Sequence, residues 1–238
     1  MLRQLFGEEP RQWTGESLET VQAMERFVLL ARGIAGKRPQ QAQAYHTLAI
    51  WAEGLLRSMD ELEQSIYAAR KYAAQVRTDH VDELDAEERL LYYRHVYYDK
   101  NAYIRVFALL DKLGTLLNRL LGLQTEKIKA HFSYYTVLRH LRENGWHPEM
   151  TGRLTELKER HQDQMRRLRD RRNLEVHQMN AELRDDLSQR AAGIQSTRTL
   201  ENLQANLADL DGSWSFAKGS LDASFRFACR WLAISNKA

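Results

Sequence analysis

From Pro39 to Val76 the apolar residues recur with a regularity that few arrangements of a chain can use. Tyr45, Leu48, Ala52, Leu55, Met59, Leu62, Ile66, Ala69, Ala73 and Val76 alternate steps of three and four. That is a heptad seam, and an α-helix places such residues along one line. A helix of this span is ~57 Å long at 1.5 Å per residue, so it needs a long partner to cover its apolar stripe. The C-terminal part of the chain supplies one. Leu200, Leu203, Leu207, Leu210, Trp214, Ala217, Leu221, Ser224, Ala228 and Trp231 repeat the alternation. The phase passes through Gly212 and Gly219 unbroken, which predicts one helix despite a cost of about 1 kcal/mol per glycine. The two seams are expected to pack lengthwise, within one chain or between two copies, and to act as scaffold.

The rest of the chain is equally helical in character. Three prolines in 238 residues leave long stretches without a breaker, and the abundant Ala, Leu, Glu, Gln and Arg are strong helix formers. A hydrophobic share of 43% suffices for a sizeable core. The formal charge of +3 is too small to imply a polyanionic partner by itself, so only its clustering carries information. The single cysteine, Cys229, excludes an internal disulfide and a cysteine-based zinc site. Lying among Phe227, Trp231 and Leu232, it reads as a packed thiol. His46, His80, His95, His131, His140 and His147 show no helical pairing with acids that would hold a metal, and no phosphate-cradling glycine loop is present. Neither a metal nor a cofactor is expected. The absence of an early apolar run or a long apolar segment predicts neither a signal peptide nor a membrane span, with the cytoplasm as the default location.

Taken in order, residues 1 to about 15 read as a tail, and Ser17 caps a helix that stops near Gly33 to Gly36. Asp85-Ala86-Glu87-Glu88 resembles a capping box for a third long helix ending at Gly122. Its inward stripe is Tyr92, Val96, Asp99, Tyr103, Val106, Leu110, Leu113, Leu117 and Leu120. Asp99 is the exception, and a carboxylate on an apolar stripe needs a partner. An arginine from the basic run downstream is one candidate; a nearby tyrosine hydroxyl, or a side chain turned out to solvent, is the alternative. The tyrosines between 92 and 103 could stack on bases, but at this spacing they read as core. Short helices follow over 124–144, and Thr151 starts a helix whose apolar stripe includes His161.

Downstream, Arg166, Arg167, Arg169 and Arg171 face only Asp170 as an opposing charge, and Arg172-Asn173-Leu174-Glu175-Val176-His177 follows at once. An imidazole can move a proton near neutral pH. A guanidinium grips phosphate in a bidentate fork. Together they suit cleavage of a phosphodiester by its own 2′-hydroxyl, which means RNA. Residues 172 and 177 lie ~140° apart around a straight helix, whereas Asn173 and His177 share a face. A break is therefore expected between about Arg169 and Asn173, capped by Asp170 or Asn173, with Arg172 reaching toward the imidazole. Beyond it, Val176, Met179, Leu183 and Leu187 are expected to pack, beside a polar stripe of Asn173, His177, Asn180 and Arg184.

The run R-N-x-x-x-H at Arg172, Asn173 and His177 resembles the signature of the HEPN superfamily, compact all-helical proteins. Many of these are metal-independent endoribonucleases of microbial defence and toxin–antitoxin systems. A looser likeness joins Tyr97-Tyr98-Asp99-Lys100-Asn101, through Arg105, to Asp111-Lys112-Leu113-Gly114, which is similar to the first bundle helix of a prokaryotic HEPN subgroup. The resemblance implies an all-α, HEPN-like bundle with long heptad-patterned flanking helices. The division expected is an N-terminal tail and helical hairpin over 1–84, a four-helix core over 85–190, and a long C-terminal helix over 195–238. It also implies a homodimer cleaving RNA, with Arg172, Asn173 and His177 catalytic, Arg166, Arg167, Arg169 and Arg171 gripping phosphates, and Asp99 in support. A protein partner such as an antitoxin is a further implication. One departure stands out: Met179 occupies the position of the tyrosine that receives a nucleotide in HEPN toxins controlled by a nucleotidyltransferase, so that route of control does not carry over. The alternative expectation is a non-catalytic helical protein of the same fold that binds RNA, a nucleotide or a protein.

Overall fold

The computed structural model describes residues 2–183 and 199–235, and among these it is an all-α helical bundle. After a single turn, α1 (Leu2–Leu5), come α2 (Gly15–Lys37), α3 (Ala42–Ala73), α4 (Ala86–Leu121), α5 (Tyr134–Glu143), α6 (Pro148–Arg160), α7 (Gln162–His177) and α8 (Leu203–Ser235). Both heptad seams form the helices expected of them. On α3, Leu48, Ala52, Leu55, Met59, Leu62, Ile66, Ala69 and Ala73 are buried; on α8, so are Leu207, Leu210, Ala217, Leu221, Ser224 and Ala228.

Local chemistry explains three of the helix starts. The Asp85 carboxylate accepts the backbone N–H groups of Glu87 and Glu88, both at 2.8 Å, and starts α4. Glu88 does not complete the box; its side chain accepts the N–H of Arg77 instead. Ser133 and Thr136 form a reciprocal capping box on α5. Asn202 receives the N–H of Ala205 at 2.9 Å, so α8 starts after it and Leu200 lies outside the helix. Where expectation and structure differ, the reason is local as well. α2 starts at Gly15 and runs on through Gly33 and Gly36 to Lys37, because nothing crowds the helix there and isolated glycines only weaken it.

The chain divides into two compact units, each assembled from three separate segments. The first comprises Met1–Phe6, Glu61–Val106 and His161–Trp214; the second comprises Gly7–Asp60, Phe107–Arg160 and Ser215–Ala238. The three consecutive stretches expected from the sequence do not coincide with these units, because α3, α4 and α8 each contribute one part to either unit.

In the first unit α3 and α4 run antiparallel. Arg105 pairs with Glu61, the Ser65 hydroxyl donates to Asn101 Oδ1 at 3.0 Å, and His95 Nδ1 lies 2.9 Å from the Ala69 carbonyl. The long neighbour of α3 there is thus α4, and α8 meets α3 through the Arg70–Asp211 ion pair. In the second unit α8 packs on α2, with Phe225 edge-on to Phe27 and the Cys229 thiol donating to the Ala23 carbonyl at 3.5 Å. Burial pushes that thiol's pKa up, as fits a packed cysteine. The Tyr134 N–H donates to Asp111 at 2.9 Å and its hydroxyl to Ser220 at 3.2 Å.

The two interior glycines of α8 have a steric reason. A Cβ at Gly212 would stand 2.8 Å from the Gln164 side chain of α7 in the first unit, and one at Gly219 would stand 3.0 Å from Leu157 of α6 in the second. The helix gives up about 1 kcal/mol at each to let a neighbour approach.

Candidate functional site

Helix α7 carries the basic run, and its rotation sorts the arginines. Met165 and Leu168 point into the core of the first unit. Arg166 is exposed and meets Asp163 at 3.0 Å; Arg169 is exposed with Asp170 at 4.0 Å. Arg167 is bound in a fork by Asp209 of α8, Nε to Oδ2 at 2.9 Å and Nη2 to Oδ1 at 2.5 Å. Arg171, one turn on, turns inward. The expectation of four surface cations gripping phosphates therefore fails at Arg171, whose side chain is only 13% exposed. A cleft of about 520 Å³ between α7 and α8 is lined by Arg167, Asp170, Arg171, Asn206 and Asp209. Its two arginines are already met by Asp209 and Asp99, so it offers no uncompensated cation.

The inward turn of Arg171 answers the question raised by Asp99. Asp99 is 1% exposed, and Arg171 Nη2 donates to its Oδ2. The same guanidinium lies 3.8 Å from Glu201 and 5.0 Å from the centre of the Tyr103 ring. Burial depresses the arginine's pKa, but the charges of Asp99 and Glu201 outweigh it and the net shift is upward. Burial also pushes Glu201 up to about 7, against the pull of Arg171 and of the Asn206 amide, which donates at 2.9 Å. Burial likewise raises the Tyr103 pKa. His95, one turn before Asp99, is buried with its pKa held below the ordinary value by that burial. A carbonyl only accepts, so His95 Nδ1 carries the proton given to Ala69. His95, Asp99 and Tyr103 thus form an i, i+4, i+8 ladder, His95 bonded to α3 and the other two set against Arg171 of α7. Sequence reasoning placed Asp99 and Tyr103 on one inward stripe and missed His95; a four-residue step back from Asp99 would have found it.

The motif itself lies at the end of a helix. No break occurs between Arg169 and Asn173: α7 runs unbroken from Gln162 to His177, and the interruption falls at His161, between α6 and α7. Because that helix is continuous, neither Asp170 nor Asn173 caps anything. Arg172 does not stand at a helix entrance either. Its Nη2 and Nε donate to Asn173 Oδ1 at 2.7 and 3.2 Å, so the guanidinium folds over the neighbouring carboxamide. Asn173 stands one turn before His177 on the same face.

Tertiary contacts fix the end of α7. Lys100 of α4 reaches Glu175 at 2.9 Å and Glu182 at 2.6 Å, bridging both sides of the turn after His177. Glu175 also accepts the N–H of Ala181 at 2.8 Å. Of the packing face expected beyond the motif, Val176 and Leu183 are exposed and Met179 is half-buried, and Leu187 lies outside the described residues. Nor does the polar stripe continue: Asn180 is past the helix and bonds Glu182, and Arg184 also lies outside the described residues. His177 closes the helix with its side chain exposed and, among the described residues, without a hydrogen bond.

Among the described residues no cluster of three or more His, Cys, Asp or Glu is placed to hold a metal ion, and no helix is long and apolar enough to cross a membrane. A family model described as Cthe2314-like HEPN matches residues 51–229, a span that takes in Asp99, the basic run and the motif. No curated protein and no solved structure matches the chain.

Proposed function

The chain belongs to the Cthe2314-like HEPN family, and on that premise we propose that it is a metal-independent endoribonuclease working through His177, Arg172 and Asn173. The family as a whole points to nuclease or RNA-related roles. The observation that carries the finer reading is the state of His177. Its imidazole is exposed and, among the described residues, without a hydrogen bond at the end of α7, one turn beyond the carboxamide that holds the Arg172 guanidinium.

The chemistry needs three things from these residues. His177 takes the proton of the 2′-hydroxyl, O2′ forms a bond to phosphorus, and the P–O5′ bond breaks. Arg172, steered by Asn173, offsets the charge on the phosphoryl oxygens, a preorganised electrostatic effect worth about 3 kcal/mol. O5′ must then receive a proton, and the His177 of a second copy in a homodimer supplies it. The products are a 2′,3′-cyclic phosphate and a 5′-hydroxyl. Exposed Arg166 and Arg169 add sequence-independent phosphate attraction. In a defence or toxin–antitoxin setting, a protein partner would restrain such an activity.

One observation favours the second reading, a protein that holds RNA without cutting it. On an unbroken helix the side chains of 172 and 177 leave the axis ~140° apart, and Arg172 has an internal acceptor in Asn173. Incubation with RNA in EDTA separates the two. The wild type is expected to cleave without metal, and His177→Ala to lose about 10²- to 10⁴-fold in rate at unchanged melting temperature. A wild type inert toward every RNA offered, or a His177→Ala variant as fast as wild type, removes the catalytic reading.

A further inference from the structure

The aromatic run on α4 contains two doublets, Tyr92-Tyr93 and Tyr97-Tyr98, and the helix splits each one. Tyr92 is buried, and Tyr98 stacks on Tyr72 at 5.8 Å with the rings 12° from parallel. Their neighbours point outward: Tyr93 is 58% exposed and Tyr97 62%. Each outer ring is braced by its inner partner, Tyr93 by Tyr92 at 5.7 Å and Tyr97 by Tyr98 at 5.1 Å. Leu90 and Ile104 are exposed on the same face; Arg94 is exposed between the two outer rings, 5.6 Å from the Tyr72 ring, and Arg89 is exposed one turn before Tyr93. From Arg89 to Ile104 the only carboxylate is the buried Asp99.

We infer that this outward face of α4 is a stacking rail for single-stranded RNA, with Tyr93 and Tyr97 as the base platforms and Arg89 and Arg94 as the phosphate contacts. The inference rests on the RNA reading above and adds the residues that hold the strand. Three physical arguments carry it. Tyr93 and Tyr97 are four residues apart, hence ~6 Å along the axis, about twice the 3.4 Å rise of stacked bases; two bases splayed apart fit that spacing. Aromatic faces interleaved with cations and free of carboxylates suit a polyanion that carries its own π faces. A second copy of the same face would oppose arginine with arginine, and like charges in contact are unfavourable. The rail also leads to the proposed site: Lys100, three residues past Tyr97, holds Glu175 at 2.9 Å, two residues before His177.

The test is fluorescence anisotropy of a 2′-O-methyl oligonucleotide, which cannot be cleaved through its 2′-oxygen, with sedimentation of the same samples. Tyr93→Ala and Tyr97→Ala are each expected to weaken binding about tenfold, while Tyr93→Phe and Tyr97→Phe keep wild-type affinity because the ring face is retained. Melting temperatures are expected to be unchanged, since both rings are on the surface. Alanine variants that bind as wild type overturn the rail, as does a wild type that binds no single strand. Alanine variants that shift only the oligomeric state identify the face as a contact between copies and overturn it too. Tyrosine-dependent binding without any cleavage leaves the rail standing and removes the catalytic reading; cleavage with tyrosine-independent binding does the reverse.

Discussion

In the second unit the largest buried side chains include Phe27, Phe216, Phe225, Met24, Leu55 and Leu113, and the buried Tyr134 hydroxyl meets Ser220. The first unit encloses His95, Asp99, Tyr103 and most of Arg171. There His95 Nε2, Asp99 Oδ1, Tyr103 Oη and Arg171 Nη1 are buried without a hydrogen-bond partner among the described residues, whereas the second unit has Ser224 Oγ in that state. Apolar burial stabilises by about 25 cal/mol per Å², whereas each buried unpaired polar group costs about 1–3 kcal/mol. The second unit is therefore built as scaffold. The first accepts a less favourable interior in exchange for position. Arg171 meets Asp99, and Glu175 meets Lys100, in only one register of α7 along α4. That register leaves His177 exposed and Arg172 and Asn173 half-buried.

The sharpest way to break this contrast is Asp99→Ala, which strands the Arg171 guanidinium in the interior. A loss of about 3–5 kcal/mol is expected, read by chemical denaturation; a loss under about 1 kcal/mol would mean that the pair is solvated and the two interiors are alike.

Glu201 gives a smaller effect with a pH signature. Its pKa in the folded chain is raised from 4.5 to about 7. The stability this group contributes is thus fully present below about pH 4.5 and lost as pH rises to about 7, because the unfolded chain ionises first. Glu201→Gln is expected to exceed wild type by about 1–3 kcal/mol at pH 7.5, with the gap closing toward pH 4.5. Denaturation midpoints of the two proteins across that window check it. A pH-independent difference would place Glu201 outside the cluster.

The smallest effect compares two hydroxyls. Tyr134→Phe removes a donor that Ser220 uses and should cost about 1 kcal/mol, while Tyr103→Phe removes one with no partner among the described residues and should cost nothing or stabilise slightly. Equal losses in the two thermal melts would erase the distinction between the units.

Much of this was legible in the residues. The seams of α3 and α8, the Asp85 start of α4, and the need of Asp99 for a partner all follow from spacing and from the cost of burying a lone charge. The place where α7 begins and ends was not legible. The break sits at His161, and the stop after His177 depends on Lys100, dozens of residues away in the chain. Spacing around the motif suggested a turn at Arg169 to Asn173 only because it assumed that Arg172 had to reach His177 unaided.

The sequence by itself determined that this protein is helical, which lines of residues are buried on its longest helices, and that a cation, a carboxamide and an imidazole sit within six positions. The apolar stripe of α4 already put Tyr92 rather than Tyr93 inside; tertiary structure alone decided that Arg171 rather than Arg172 turns inward. Successive residues on a helix leave the axis 100° apart, so two identical neighbours look interchangeable in a string of letters. The rotation of α7 against its neighbours, set by the fit of Arg171 to Asp99 and of Lys100 to Glu175, turns the first of them into the interior.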